Sequence, residues 1–216
     1  MNWKAVLFDM DGTVLDTLDD LADSVNRSLA EFALPAVDRS VVRRNLGNGA
    51  EYLITHCVPP GTPEDLFTRV LEFYKPWYDA HCRIHTRSYD GILPLMRKLR
   101  EQDIRLAIIS NKPDTAVQEL AAAFFPGMLD VAVGESPGIR RKPSPDTVLE
   151  AVSRMGLAVE DCVYVGDSEV DIETARRAGM ACISVSWGFR DEETLLSNGA
   201  SMIAHTPEEL SERILQ

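Results

Sequence analysis

The chain has 216 residues, 45% of them hydrophobic, enough for one sizeable core or a core with a smaller companion. Its 22 basic and 34 acidic residues give a net charge of −12 and a pI near 4.8, which argues against sequence-independent binding to nucleic acid or to an anionic membrane, since both need clustered Lys and Arg. An anionic small molecule must then be drawn in by local positive groups or a metal ion rather than by the field of the whole protein.

The first predicted element is a strand over residues 4–9, the apolar run Ala5-Val6-Leu7-Phe8 ending at Asp9. Asp11 follows, then Gly12 and Thr13. Two carboxylates at the mouth of a buried strand repel each other and are costly to desolvate, so something at the site must offset them. After Thr17 the pattern turns helical, with Leu18, Leu21, Ala22, Val25, Leu29 and Phe32 forming one stripe. Further helical patches fall around residues 38–46, 50–57 and 63–79, and no strand is expected between residues 17 and 88. Residues 17–87 are therefore expected to form a small all-helical domain.

From Tyr89 onward, amphipathic helices alternate with short apolar strands. "ILPLMRKLREQ" precedes a strand at 105–110, "PDTAVQELAAAFF" precedes "LDVAVG", "PDTVLEAVSRMG" precedes a strand at 161–167, and "VDIETARRAGM" precedes one at 181–186. That alternation implies a parallel sheet covered on both faces. The strand at 4–9 joins it, so the expected fold is α/β: a Rossmann-like, doubly wound parallel core of residues 1–16 and 88–216, with the helical domain inserted as a cap. The four cysteines form no C-x-x-C pair, no run reaches the length of a membrane span, and no secretory leader is expected ahead of the first strand. A soluble, reduced, cytoplasmic protein is expected.

In such a sheet ligands gather at the carboxyl ends of the strands. One strand ends in Asp9-Met10-Asp11-Gly12-Thr13, the next in Ser110-Asn111-Lys112, and a later one in Gly166-Asp167-Ser168 with Asp171 beyond; "RRKPSPD" adds Lys142 just before a helix. Three carboxylates without a His or Cys cluster suit a hard cation with oxygen ligands, and Mg2+ is the natural choice. Hydroxyl, amide and ammonium groups suit phosphate oxygens. A carboxylate facing a phosphoryl group can form an aspartyl-phosphate, and a second can act as acid and base.

At these residues the sequence resembles the haloacid dehalogenase superfamily, in its phosphoglycolate phosphatase-like branch. The motifs "DMDGT", "IISNKP", "RRKPSPD" and "GDSEVD" occur in the family's order, and the resemblance spans the chain, cap included. It implies Asp9 as nucleophile and metal ligand, and Asp11 as acid–base with its backbone carbonyl on the metal. Ser110 and Lys142 would hold phosphoryl oxygens, Asp167 would complete the Mg2+ ligands, and Asp171 would orient that shell. Gly12, Thr13 and Asn111 would line the phosphate pocket. In the cap, Arg43 and Arg44 ahead of "GNGA" are candidates to grip a substrate carboxylate, with a solvated helix face as the alternative.

The expected activity is hydrolysis of a small phosphorylated metabolite, 2-phosphoglycolate first, by a monomer or homodimer. A sugar phosphomutase of the same fold is the alternative, but mutases of this kind carry a cap histidine where this chain has Leu21. A non-catalytic phosphate-binding module would need neither Asp11 nor a cap. His81 and His85 lack the H-E-x-x-H pattern and a third ligand, so they read as ordinary residues, and "SWGFR" at 186–190 reads as a packed aromatic loop.

Overall fold

The computed structural model describes residues 3–216. The chain begins with β1 (Ala5–Asp9) and the short β2 (Leu15–Asp16), then passes through helices α1 (Leu18–Glu31), α2 (Arg39–Arg44), α3 (Gly49–Cys57) and α4 (Glu64–His81). It returns through β3 (Arg87–Ser88), followed by α5 (Ile92–Glu101), β4 (Arg105–Pro113), α6 (Asp114–Phe124) and β5 (Val131–Glu135). The remainder runs α7 (Asp146–Met155), β6 (Cys162–Gly166), α8 (Glu169–Ala178), β7 (Ala181–Val185), α9 (Glu192–Ser197), β8 (Ile203–Ala204) and α10 (Pro207–Leu215). Two compact units emerge: residues through Asp16 with Ser88–Gln216, and Thr17–Arg87.

The first unit is built on a six-stranded sheet of order β5-β4-β1-β6-β7-β8, parallel at every pairing. All five residues of β1 are buried, as an uninterrupted apolar run requires when helices cover both faces. Ala5 and Leu7 pack with Ala107, Ile109, Val148, Ala151 and Tyr164, while Val6, Phe8, Leu106 and Ile108 are equally buried on the other face. Register does the positioning. Asp9 pairs with Ile109 and Phe8 with Val165, so Ser110 and Asp167 emerge beside the end of β1. β4 runs three residues past the expected strand, through Lys112 to Pro113, because its pairing with β5 resumes at Glu135 after an irregularity.

In the second unit α1 packs against α4, with Leu21, Val25 and Leu29 buried along one stripe and Val70, Tyr74 and Tyr78 buried on α4. His81 is the last residue of α4, where its ring stacks on Trp77 at 4.0 Å; His85 lies beyond the helix, so the two do not share a helical face. Asp20, 2% exposed, accepts the backbone N–H groups of His85 and Thr86 at 2.8 Å each, tying the start of α1 to the end of this unit. Removing that carboxylate orphans two amides, so Asp20→Ala should destabilise the protein by about 3 kcal/mol. Neighbouring Asp19→Ala, which breaks only an exposed pair with Arg39, should cost no more than about 0.5 kcal/mol. Urea unfolding of the two variants checks this; equal stabilities would refute it.

All four cysteines are free thiols, and among the described residues no helix is long and apolar enough to cross a membrane.

Candidate active site

The strand ends deliver their polar residues to one place. Asp9, Asp167 and Asp171 are each buried, and one carboxylate oxygen of each lies within 4.8 Å of the other two. Lys142, 3% exposed, reaches into this cluster from the loop before α7. Its ammonium donates to Asp9 Oδ1 and Asp171 Oδ1 at 2.8 Å each and to the Tyr164 hydroxyl at 3.0 Å. Tyr164 in turn donates to Asp171 Oδ1 at 3.1 Å, while Asp171 Oδ2 takes the amide and hydroxyl of Ser168. Both oxygens of Asp171 are thus engaged twice, a carboxylate fixed in place. Asp167 accepts the Thr13 hydroxyl on Oδ1 at 3.0 Å and the Phe189 amide on Oδ2 at 2.7 Å.

Burial, and after it the charge of Asp171, push the Asp9 carboxyl well above the usual carboxylate range, with Lys142 pulling the other way. The same causes lift Asp167 to about 7, against the Phe189 and Thr13 hydrogen bonds. For Lys142, burial disfavours the charge, but Asp171 and Asp9 outweigh it and hold the ammonium well above its ordinary value. When all three carboxylates are ionised, they outnumber the one ammonium by two charges. Compensation by a divalent cation with oxygen ligands fits that imbalance.

Asp11 stands apart from the cluster. Its carboxylate, 16% exposed, pairs with Lys112 at 2.8 Å. Gly12 turns the chain just after Asp11 with φ of 82°, and a Cβ there would collide with the Asp167 carboxylate. Ser110 is 1% exposed, and its hydroxyl accepts the Lys112 amide at 3.2 Å. The Asn111 side chain is zipped to the backbone of Lys142, accepting its N–H at 2.8 Å and donating to its C=O at 3.0 Å. Expected as a pocket-lining residue, Asn111 here sets the loop that carries the lysine. Arg43 and Arg44 are exposed at the C-terminal end of α2, in the helical unit.

The sequence reading assigned no role to Lys112, Tyr164 or the Phe189 amide. Tyr164 had a signal, since a phenol inside an otherwise aliphatic buried strand needs a polar partner. Lys112 stood at a strand end beside two residues already singled out. The Phe189 amide carries no side-chain signal at all.

A parallel sheet that gathers three buried acids and a buried lysine at its carboxyl edge is the architecture of an α/β enzyme site. Residues 6–185 match the family described as haloacid dehalogenase-like hydrolase. A phosphoglycolate phosphatase of Xanthomonas campestris pv. campestris is 32% identical over 211 residues, covering 97% of this chain and 95% of the relative. That of Chromobacterium violaceum is 30% identical over 214 residues, covering 96% and 94%. A crystal structure from Lactobacillus delbrueckii subsp. bulgaricus, provisionally named a phosphoglycolate phosphatase, superposes with a TM-score of 0.95 at 39% identity, over 100% of this chain and 99% of that one. The chain belongs to the haloacid dehalogenase-like hydrolase family, in its phosphoglycolate phosphatase-like branch. Within that branch it is a phosphatase.

Proposed function

We propose that this phosphatase is Mg2+-dependent and hydrolyses small phosphate monoesters through an aspartyl-phosphate on Asp9, with 2-phosphoglycolate the leading substrate. One observation carries the reading: Asp9 ends the central strand with Oδ1 held by the buried ammonium of Lys142, and a second acid, Asp11, stands two residues on. The relatives named phosphoglycolate phosphatase supply the substrate.

Asp9, Asp167 and the backbone carbonyl of Asp11 would hold the Mg2+, which when bound lowers the repulsion between the incoming phosphoryl group and the acids. The Asp9 carboxylate attacks phosphorus as the ester P–O bond breaks, and Asp11 gives its proton to the departing alkoxide. Asp11 then takes a proton from water, whose oxygen attacks phosphorus and frees the Asp9 carboxylate; the balance is ester plus water to alcohol plus phosphate. Lys142 aims Asp9 and meets the charge that builds on the phosphoryl oxygens, beside the Ser110 hydroxyl and the Gly12-Thr13 turn. Asp171, saturated by Ser168, Tyr164 and Lys142, orients the lysine rather than the substrate.

The helical unit, residues 17–87, would act as the cap that excludes water and reads the substrate, with Arg43 and Arg44 as its carboxylate-binding candidates. Leu21, buried and apolar, offers no base at the position where a mutase needs one. Four free thiols fit a reduced, cytoplasmic setting.

Steady-state phosphate release from 2-phosphoglycolate, beside sugar and nucleoside monophosphates, tests the proposal. Turnover should require Mg2+, vanish with chelator and be highest on 2-phosphoglycolate. Equal metal-dependent rates on several esters would discard the named substrate. No turnover on any ester would overturn the mechanism.

A further inference from the structure

The segment after β7, Ser186–Arg190, reads in the sequence as a packed aromatic loop. In the structure it bonds to both loops that bear the candidate metal ligands. The Trp187 indole N–H donates to the Thr13 carbonyl at 3.0 Å, across 174 residues of chain. Gly188 passes so close to the site that a Cβ would collide with the Asp167 side chain and the Gly12 carbonyl. The Phe189 amide donates to Asp167 Oδ2 at 2.7 Å. Arg190 grips Glu169, the first residue of α8, with a fork of 2.7 and 3.0 Å.

These contacts converge on Asp167. Each of its oxygens accepts one hydrogen bond, Oδ1 from the Thr13 hydroxyl and Oδ2 from the Phe189 amide. Thr13 is itself wholly buried, and its carbonyl is met by the Trp187 indole. A carboxylate oxygen has two lone pairs, so one donor on each oxygen fixes the plane of the group and leaves it able to ligate. Simple aromatic packing explains neither the indole bond nor the absence of a side chain at position 188.

We infer that Trp187–Arg190 is a strap that sets the Asp167 carboxylate for the divalent cation, with Trp187 acting through Thr13 as a positioning residue. The inference rests on the Mg2+ reading above. Holding a ligand in its bound orientation lowers the entropy lost on binding, and groups that orient ligands typically govern 10–100-fold of metal affinity.

Trp187→Phe keeps an aromatic ring and removes the one N–H. Calorimetric titration with Mg2+ alone, without substrate, should show binding weakened by about tenfold relative to wild type. The Mg2+ concentration for half-maximal phosphate release should rise by a similar factor, with the rate recovering as Mg2+ is raised. A purely structural role would lower the folded fraction and leave the affinity of the folded protein unmoved. Equal affinities in variant and wild type would overturn the inference and spare the proposed function. A wild-type protein with no Mg2+ response would overturn both. Should Trp187→Phe fail to fold, Arg190→Lys, which keeps the charge but loses the fork on Glu169, carries the same comparison with the same direction expected.

Discussion

Asp9→Asn is expected to release no phosphate above the buffer blank, a fall of roughly 10⁴-fold or more, yet to melt at or above the wild-type temperature without metal. The loss of rate follows from chemistry: an amide oxygen is too weak a nucleophile to displace the alkoxide, and Asp11, the other acid after β1, stands apart in its pair with Lys112. The gain in stability follows from the crowding. Burial and Asp171 disfavour the charged form of Asp9, so a neutral side chain of the same shape relieves a cost. Lys142 keeps Asp171 and the Tyr164 hydroxyl as partners. A relief of about 1–2 kcal/mol would raise the melting temperature by roughly 2–8 °C for a chain of this size. Phosphate release and metal-free thermal melting of the same preparation read both halves. Residual turnover within tenfold of wild type would remove Asp9 from the mechanism. A melting point several degrees lower would mean that the Asp9–Lys142 pair stabilises the fold on balance.

The features legible in the sequence share a physical origin. A buried parallel strand must be apolar to its end, so a carboxylate at that end is conspicuous, and Asp9, Ser110 and Asp167 announce themselves in turn. Their convergence follows from register in one sheet, which the alternation of strands and helices already implies. Lys142 is legible only through its motif, since a lone lysine before a helix reads as a surface residue. The polar framework around these groups is hidden for a different reason. Asn111 grips Lys142 across 31 residues, and Trp187 reaches Thr13 across 174, through backbone atoms that every residue possesses. No periodicity or spacing encodes such bonds. The short β8, absent from the sequence reading together with helices α9 and α10, forms the sheet edge beyond β7, away from the acids at the ends of β1 and β6.

Lys142→Met should show the opposite stability signature to Asp9→Asn, with a smaller though still large defect in rate. Methionine matches the length of the lysine stem but removes the ammonium that serves Asp9 and Asp171. Breaking a buried ion pair from one side costs about 3–5 kcal/mol, and here one ammonium serves two carboxylates at 2.8 Å each. The metal-free variant should therefore be markedly less stable than wild type. Mg2+ should recover much of the loss, because a cation that binds only the folded state stabilises it by mass action. Activity is not recovered in the same way. The lysine meets charge on the phosphoryl oxygens, a role whose removal costs about 10²–10³-fold in rate, and saturating Mg2+ leaves that vacancy in place. The decisive measurement is the double variant Asp9→Asn/Lys142→Met in a metal-free denaturant series. If like-charge crowding governs the site, removing one acid returns part of the stability lost with the lysine, and the double variant is more stable than Lys142→Met alone. If the double variant is no more stable than Lys142→Met alone, Asp9 gains nothing from neutralisation, and the charge argument for a divalent cation at this strand end falls with it.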